Sequence, residues 1–391
     1  MKHRRLRLST AVPLTAASLF AAFALSACNN PPADSGGTSG TATTTSSTPG
    51  AMGSPGASAS PGAGGEMAGS AFEKPLVASG PIKVKVITNG VSPFWDSMGK
   101  GLDAVKKDLD GADASWQAPQ QADNNAQKKV FEDALAAGAN GIAVSPIQAD
   151  AFTPVIDAAI AKGIPVVTFD SDAPASKRLL YIGTNNFEAG KRAGEAAVKL
   201  FPNGGKLIAF VGNMSAQNAN DRYNGFKEAI KGKNIEFLQE PFTDDKDAGR
   251  ARRNVSDAIT KYGDKINGFV GLYSYNGPAI VDEVQKNNLR DKVKIICFDG
   301  EPKTLDNLGK GLVDATVVQK PYEFGRLTTR ALYLINRKGL KAALEEMTPD
   351  LEKAGMSVKG SVIDTGVDVI TPGPDATKFL QGLKEKGLES T

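Results

Sequence analysis

Two hydrophobic patterns alternate along the chain from Pro81 onward. Short apolar or β-branched runs bounded by turn residues predict buried parallel strands. The stretches between them place apolar residues at helical spacing, as from Phe152 to Ile160, and so predict helices with one apolar stripe. The predicted strands cover residues 84–88, 141–145, 164–169, 179–183, 206–212, 266–273, 293–298 and 312–318.

This alternation predicts an α/β fold in which parallel sheets carry helices on both faces. About 310 residues follow Pro81, a length that favours two sheets over one. A short internal echo supports two similar halves, because VVTFDS (166–171) and IICFDG (295–300) both end an apolar run in Phe-Asp. Ligands of open α/β sheets bind outside the carboxyl ends of the strands. We therefore expect Asp170 and Asp299 to face a shared cleft, one from each half.

The first 27 residues have the layout of a secretory signal. A basic head, Lys2 to Arg7, precedes a charge-free and mostly apolar stretch that ends in Leu25-Ser26-Ala27-Cys28. That ending resembles the lipobox of bacterial lipoproteins, in which the cysteine is lipidated and becomes the new N-terminus. The alternative is a transmembrane helix retained in the mature chain, which Pro13 and several Ser and Thr residues disfavour.

Residues 28–80 are predicted to be a flexible, lipid-anchored linker. Within them, 36 of the 40 residues from 31 to 70 are Gly, Ser, Thr, Ala or Pro. Such a segment has almost no large apolar side chain to bury, so it is not expected to form a core.

Composition narrows the chemistry once the signal is removed. The chain has 46 Lys+Arg and 43 Asp+Glu, a net charge of +3, and loss of the four basic residues in 1–27 leaves −1. Nucleic acid is therefore not an expected partner. The only histidine, His3, leaves with the same segment, which excludes a Ser-His-Asp triad, a His-liganded zinc and a His general base. Cys28 and Cys297 are too few for a disulfide framework or a four-Cys site, and we expect no metal and no cofactor.

Candidate site residues occupy the ends of predicted strands. Ser92, Phe94 and Trp95 follow the first strand, Arg222 follows the strand at 206–212, and Asn276 follows the strand at 266–273. The ordinary alternatives are a helix N-cap, a polar helix face and a turn. Two adjacent aromatic residues on a helix are not expected to face one core, so the Phe-Trp pair favours ring stacking. Aromatic faces together with carboxylates, carboxamides and a guanidinium suit a sugar or another polyol.

From about Lys83 to about Leu340, the chain resembles the sugar-binding lipoproteins of bacterial ABC importers, in the ribose-like branch of the type I periplasmic binding proteins. The resemblance rests on eight motifs in order: SPFW (92–95), DNNAQ (123–127), FDSDAP (169–174), YIGTNNFEAG (181–190), NDRYNGF (220–226), SYNGPA (274–279), CFDG (297–300) and VVQKP (317–321). It implies two Rossmann-like lobes with parallel sheets, joined by a three-crossover hinge. The implied N-terminal lobe comprises residues 81–184 and about 320–345, and the C-terminal lobe comprises residues 185–319 and about 346–391.

The resemblance also implies a set of ligand-binding residues and no catalytic residue. In this set, carboxylates and amides bond hydroxyl groups, aromatic rings flank the sugar ring, and Arg222 donates to its oxygens. The implied residues are Ser92, Phe94, Trp95, Asp170, Ser171, Arg222, Asn276, Phe298, Asp299 and Gln319. Ser171 departs from the pattern, because ribose binders have an arginine there, so this chain is expected to recognise a different pattern of hydroxyls.

The implied function is that of a substrate-binding lipoprotein of an ABC transporter. We expect an exported monomer, lipid-anchored through Cys28 on the outer face of the cell membrane. It captures a monosaccharide or related polyol between closing lobes and delivers it to the ABC permease subunits. One alternative is a sugar-sensing receptor subunit for chemotaxis or a sensor kinase. Another is a surface glycoside hydrolase that uses Asp170 and Asp299 as its acid and nucleophile.

Overall fold

The computed structural model describes residues 70–391. The predicted signal peptide, the lipidation site at Cys28 and most of the predicted linker lie outside the described residues. Within residues 70–391, none of the helices combines the length and the apolar character that a membrane span requires.

Strands and helices alternate through most of the described chain, as the hydrophobic pattern predicts. The strands are β1 (Ile82–Ile87), β2 (Ala112–Gln117), β3 (Gly141–Val144), β4 (Val166–Phe169), β5 (Leu180–Gly183), β6 (Gly205–Val211), β7 (Ile235–Phe237), β8 (Phe242–Thr243), β9 (Gly268–Gly271), β10 (Lys294–Phe298), β11 (Ala315–Val318), β12 (Ser357–Lys359), β13 (Val362–Asp364) and β14 (Asp368–Ile370).

The helices fill the intervals between these strands. They are α1 (Pro93–Lys106), α2 (Asn124–Ala136), α3 (Ala149–Ala161), α4 (Asn186–Leu200), α5 (Gln217–Ile230), α6 (Ala248–Tyr262), α7 (Asn276–Lys286), α8 (Pro302–Gly309), α9 (Pro321–Lys338), α10 (Leu340–Lys353) and α11 (Pro374–Glu385), with 3₁₀ turns at Ser70–Phe72 and Gly263–Lys265.

The strands form two sheets, one in each lobe. The first sheet has the order β12-β13-β5-β4-β3-β1-β2 and is parallel except between β12 and β13. The second has the order β14-β11-β10-β9-β6-β7, with β8 paired to β6, and only β14 runs antiparallel to its neighbour. Every residue of β3, β4, β5, β9 and β11 is buried, because parallel strands covered on both faces have no solvent side. The predicted α/β fold of two mainly parallel sheets is confirmed.

The chain passes between the lobes three times. The crossovers lie at residues 184–185, 319–320 and 365–367, between the last strand or helix of one lobe and the first of the other. The expected lobe boundary near residue 345 differs from the observed one. Val362–Asp364 pairs with Tyr181 to Gly183 of β5, and Met347 and Leu351 of α10 are buried in the core of the first lobe. Residues 346–364 therefore belong to the first lobe.

Close helix crossings fix the position of the helices that border the cleft. Where α4 crosses α5, a Cβ added at Gly190 would overlap the carbonyl of Arg222, and one added at Gly225 would overlap the carbonyl of Phe187. The first lobe repeats the arrangement where α1 crosses α9, through Gly101 and Gly325. Only glycine lets two helix backbones approach this closely. Gly190 and Gly225 therefore set how α5 packs on α4, and Gly101 and Gly325 set how α1 packs on α9.

We expect Gly225→Ala to lower the free energy of unfolding by about 1–3 kcal/mol, because the added methyl forces α5 away from α4. Gly382→Ala on α11 is the matched control, since no atom lies within 4 Å of its added Cβ. There the loss of backbone freedom in the unfolded chain should raise stability by about 0.5–1 kcal/mol. Urea unfolding of both variants measures the difference, and equal stabilities would contradict a close crossing at Gly225.

Candidate functional site

A cavity of about 290 Å³ lies where the carboxyl ends of the two sheets meet. Seven of the residues predicted for the site line it, and they come from both lobes and from the second crossover: Ser92, Phe94, Trp95, Asp170, Arg222, Asp299 and Gln319. The strand ends thus converge as open α/β sheets lead one to expect.

Asp170 follows β4 and places a buried carboxylate on the first-lobe side of the cavity. Its backbone lies in the left-handed region, with φ of 57°, and its side chain belongs to a residue that is 4% exposed. Oδ2 accepts hydrogen bonds from Ser145 Oγ at 2.8 Å and from Asn89 Nδ2 at 3.3 Å. Burial raises the pKa of Asp170 to about 6, against the opposing charge of Arg222.

Asp299 occupies the corresponding position after β10 in the second lobe. It has a similar left-handed backbone, with φ of 63°, and is equally buried. Oδ1 accepts from Gln319 Nε2 at 3.0 Å, and Oδ2 lies 3.9 Å from Arg222 Nη1. Burial raises the pKa of Asp299, while Arg222 and Gln319 oppose that rise. The Phe-Asp echo in the sequence therefore marks two equivalent carboxylates.

Arg222 on α5 is the central cation of the site. It is 1% exposed, Nε donates to Asn186 Oδ1 at 2.9 Å, and Nη1 donates to the carbonyl of Leu272 at 2.7 Å. Its guanidinium lies over the Phe298 ring, 4.6 Å from the centroid, in a cation–π geometry. These contacts hold the guanidinium rigidly beside Asp299.

Phe94 and Trp95 form the aromatic wall of the first lobe. Their rings meet edge to face, with centroids 4.8 Å apart, and Trp95 packs in the same way on Phe169 at 5.8 Å. Both rings belong to one buried core as well as to the cavity lining. The expectation that adjacent helical residues do not share a core is therefore wrong here, because the pair stands in the first turn of α1, where the helix end meets both.

Three residues predicted for the site do not line the cavity. Phe298 lies beneath the Arg222 guanidinium, and Asn276 Nδ2 donates to Asp244 Oδ2 at 2.9 Å while its Oδ1 accepts from the backbone of Tyr273. Ser171 is buried and forms a β-bridge with Phe169. Phe298 and Asn276 contact the lining residues Arg222 and Tyr273 from behind, because a residue one position along a strand or helix points in another direction.

The segment after Ser171 contains an arginine fork that does not reach the cavity lining. Arg178 Nε and Nη2 donate to the two carboxylate oxygens of Asp172, at 2.5 and 2.6 Å. Thr168 Oγ1 also bonds Asp172 Oδ1. This ion pair fixes the loop that follows β4, and so it positions the backbone of Asp170.

The predicted set lacks several residues that line the cavity, and Asn89, Lys246 and Tyr273 carry no signal in the sequence analysis. Tyr275, next to the predicted Asn276, lines the cavity, and its hydroxyl donates to Asp244 Oδ1 at 2.6 Å. In the sequence, Lys246 follows Asp244 and Asp245, and such a run of charged residues is typical of a solvent-exposed loop. Burial lowers the pKa of Lys246 to about 8, although Asp170 and Asp244 oppose the change.

Two α/β lobes joined by three crossovers, with a polar and aromatic cavity between their strand ends, define a two-lobed binding protein. The family model described as periplasmic binding protein domain matches residues 84–339, and the chain belongs to that family. Its members bind substrates, and the chain is a binding protein, not an enzyme. Membership of a periplasmic family also implies export.

Curated relatives align with most of the two-lobed region. The xylose/arabinose-binding protein XylF of Sulfolobus acidocaldarius is 27% identical over 240 residues, which is 56% of this chain and 57% of that protein. The ribose import binding protein RbsB of Bacillus subtilis is 24% identical, over 61% of this chain and 76% of its own length. The chain thus matches little more than half of the length of XylF.

Solved structures match over a larger share. GanP, a glucose-galactose binding protein from Geobacillus stearothermophilus, is 28% identical with a TM-score of 0.65, covering 75% of this chain and 98% of its own. A solute-binding protein from Burkholderia graminis in complex with D-arabinose is 27% identical with a TM-score of 0.64, covering 75% and 96%.

Proposed function

We propose that the chain is the sugar-capturing component of an ABC importer, which traps one monosaccharide between its two lobes. The observation that carries the proposal is the pair of equivalent buried carboxylates, Asp170 and Asp299, which face one cavity beside an aromatic wall and a fixed guanidinium. The names of the similar proteins support it, because they bind xylose, arabinose, ribose, glucose and galactose.

The size and charge of the cavity support a small neutral ligand. Its volume of about 290 Å³ lies just below the range of about 300–1,000 Å³ typical of small-molecule sites. Two carboxylates, Asp170 and Asp299, face two cations, Arg222 and Lys246. The charges of the lining therefore balance, and an uncharged polyol is favoured over a sugar phosphate or an amino acid.

The lining also offers hydrogen bonds in both directions, as hydroxyl groups require. Arg222 and Lys246 donate, and the carboxylates accept. Gln319 adds an acceptor, because its buried Oε1 has no protein partner within residues 70–391. A buried acceptor without a partner costs about 1–3 kcal/mol, and a sugar hydroxyl in the cavity would supply the missing donor.

Closure of the lobes then couples sugar binding to delivery. Contacts made to the sugar from both lobes exist only in the closed arrangement, so the sugar shifts the population toward it. In this proposal a membrane permease recognises the closed form. The predicted lipid anchor at Cys28 and the linker at 28–80 keep the lobes near that permease. A sugar-sensing receptor that passes the signal to another protein would use the same cavity.

A panel of candidate ligands tests the sugar-binding function. We expect at least one of D-ribose, D-xylose, D-arabinose, D-galactose and D-allose to raise the melting temperature, since a ligand at 100 times its Kd stabilises by about 2.7 kcal/mol. Calorimetry then gives the Kd, and D-glucose 6-phosphate and L-glutamate are the charged controls. A protein stabilised by a charged control and by none of the neutral sugars would refute the proposal.

A further inference from the structure

Lys246 bridges the two lobes at the cavity. Lys246 belongs to the loop between β8 and α6 of the second lobe, and its Nζ donates to the carbonyl oxygen of Asn89 at 2.9 Å and to Asn89 Oδ1 at 3.0 Å. Asn89 lies in the loop between β1 and α1 of the first lobe. The bridge uses two of the three N–H donors of the ammonium group, and Lys246 also lines the cavity.

The loop of the second lobe holds this lysine in a fixed and unusual conformation. Asp245 and Lys246 both adopt the left-handed backbone, with φ of 50° and 64°, which costs free energy for residues other than glycine. Fully buried Asp244 anchors the loop, because its Oδ1 accepts the backbone N–H of Lys246 at 2.9 Å. Asp244 also accepts from Tyr275 and Asn276.

On the first-lobe side, the bridge leads directly to a carboxylate of the cavity. Asn89 Nδ2 donates to Asp170 Oδ2 at 3.3 Å and to Ser145 Oγ at 3.0 Å, and Ser145 Oγ donates to Asp170 Oδ2 at 2.8 Å. Asn89 therefore accepts from Lys246 through its oxygens and donates to Asp170 through its nitrogen. The Asn89 side chain therefore links Lys246 to the Asp170 carboxylate through hydrogen bonds.

We propose that Lys246 is a specificity-determining residue, which gives its third N–H to an oxygen of the bound sugar while the other two hold the lobes together. This inference rests on the proposed sugar-binding function. A sugar with an acceptor oxygen next to the bridge completes the ammonium group's hydrogen bonds, whereas a sugar without one leaves a half-buried cation short of a partner. The chain discriminates between such sugars through Lys246, and the same residue favours the closed arrangement.

The positive charge of the Lys246 ammonium group contributes to this role. Two carboxylates face the Lys246 ammonium group: Asp170, which follows β4, and Asp244, which lies on the same loop as Lys246. Tyr275 is hydrogen-bonded to Asp244. Asp245, also on that loop, pairs with Arg250. Burial lowers the pKa of Lys246 to about 8, so the amine is charged at pH 7 and loses its proton as the pH rises toward 9.

Three variants test the role of Lys246, each first checked for a native circular dichroism spectrum. Lys246→Met removes the donors and keeps the length of the side chain, Lys246→Arg restores a cation, and Lys233→Met on an exposed loop of the second lobe is the control. Calorimetry measures Kd for the same five sugars, and small-angle X-ray scattering measures the radius of gyration of the sugar-free proteins.

We expect Lys246→Met to weaken binding of the preferred sugar about 10- to 150-fold, the range for a hydrogen bond to a charged group. Its Kd ratio between the preferred sugar and the others should shrink, and its sugar-free radius of gyration should exceed that of the wild type. Lys246→Arg should recover part of both effects. An unchanged Kd, or a loss that is equal for all five sugars, would overturn the specificity role.

The two proposals fail in different ways. If the wild type binds none of the five sugars, the sugar-binding function fails, and the ligand contact of Lys246 falls with it. The scattering comparison then decides the bridge alone, because a larger sugar-free radius in Lys246→Met supports it and an equal radius refutes it. If the wild type binds a sugar and Lys246→Met keeps the same Kd ratios, only the role of Lys246 is refuted.

Discussion

Replacing Arg222 with methionine should lower sugar affinity by more than 100-fold and the free energy of unfolding by about 3–5 kcal/mol, the cost of breaking a buried ion pair by removing one partner. Arg222 is 1% exposed and is the nearest cation to Asp299, and its charge also opposes the rise in the pKa of Asp170. Its removal leaves Asp299 without its nearest cation and Asp170 with Lys246 alone, and it takes a donor from the cavity.

The prediction is checked by urea unfolding for stability and calorimetry for the Kd of the preferred sugar. Arg192→Met on the exposed side of α4 is the matched control and should change neither quantity by much. Arg222→Lys keeps the charge but cannot reproduce the two donations to Asn186 and Leu272 from one planar group, so we expect an intermediate effect. Wild-type affinity in a folded Arg222→Met variant would remove the guanidinium from the site.

A double variant separates charge from shape. In Arg222→Met combined with Asp299→Asn, the cation and one carboxylate are removed together, so the stability loss should be smaller than that of Arg222→Met alone. Residues in contact couple by about 0.5–3 kcal/mol in such cycles. Binding should not recover, because the site has then lost both a donor and an ionised acceptor.

Much of the fold can be predicted from the sequence, because most of its strands are buried on both faces. The runs that became β3, β4, β5 and β11 are continuous apolar segments, which no solvent-exposed element would tolerate. The strands outside the predicted set lack a continuous apolar run that would predict them. β2 alternates polar and apolar residues at the sheet edge, and β7, β8 and β12 to β14 have two or three residues each, too few for a period to emerge.

Part of the site can also be predicted, because two of its residues directly follow these apolar strands. Asp170 and Asp299 directly follow apolar strands, so their place at the carboxyl ends is dictated by the topology. Phe298 and Asn276 were misplaced by one position, because the facing of adjacent residues depends on where a strand ends or a helix begins. Lys246 and Asn89 are 157 positions apart, and their contact depends on how the two lobes meet, which no local pattern records.

Asp170→Asn should stabilise the sugar-free protein at neutral pH while it weakens sugar binding about 10- to 150-fold. The pKa of Asp170 rises from 3.8 to about 6 on folding. Between these values the folded state holds a proton that the unfolded chain has lost, so the free energy of unfolding falls as the pH rises through that window. The asparagine avoids this loss, which amounts to at most about 3 kcal/mol for a shift of two units.

The comparison between variant and wild type isolates this carboxyl. Burial also raises the pKa of Asp244 to about 6, but that residue is present in both proteins and cancels in the difference. Urea unfolding should therefore show little difference between Asp170→Asn and wild type at pH 4, an advantage of the variant that grows up to about pH 6, and a nearly constant advantage from there to pH 7.5. Asp113→Asn, at an exposed position of β2, is the matched control.

The same ionisation governs sugar binding in the wild type. A hydroxyl group donates to the ionised carboxylate, and protonation removes that acceptor, so affinity should fall as the pH drops below about 6. In Asp170→Asn this fall should be smaller, because Asp299 then titrates alone within the cavity. A variant that is destabilised at pH 7.5 would show that Asp170 is not a strained buried charge. A variant that binds the preferred sugar as tightly as the wild type would show that Asp170 is not a ligand acceptor.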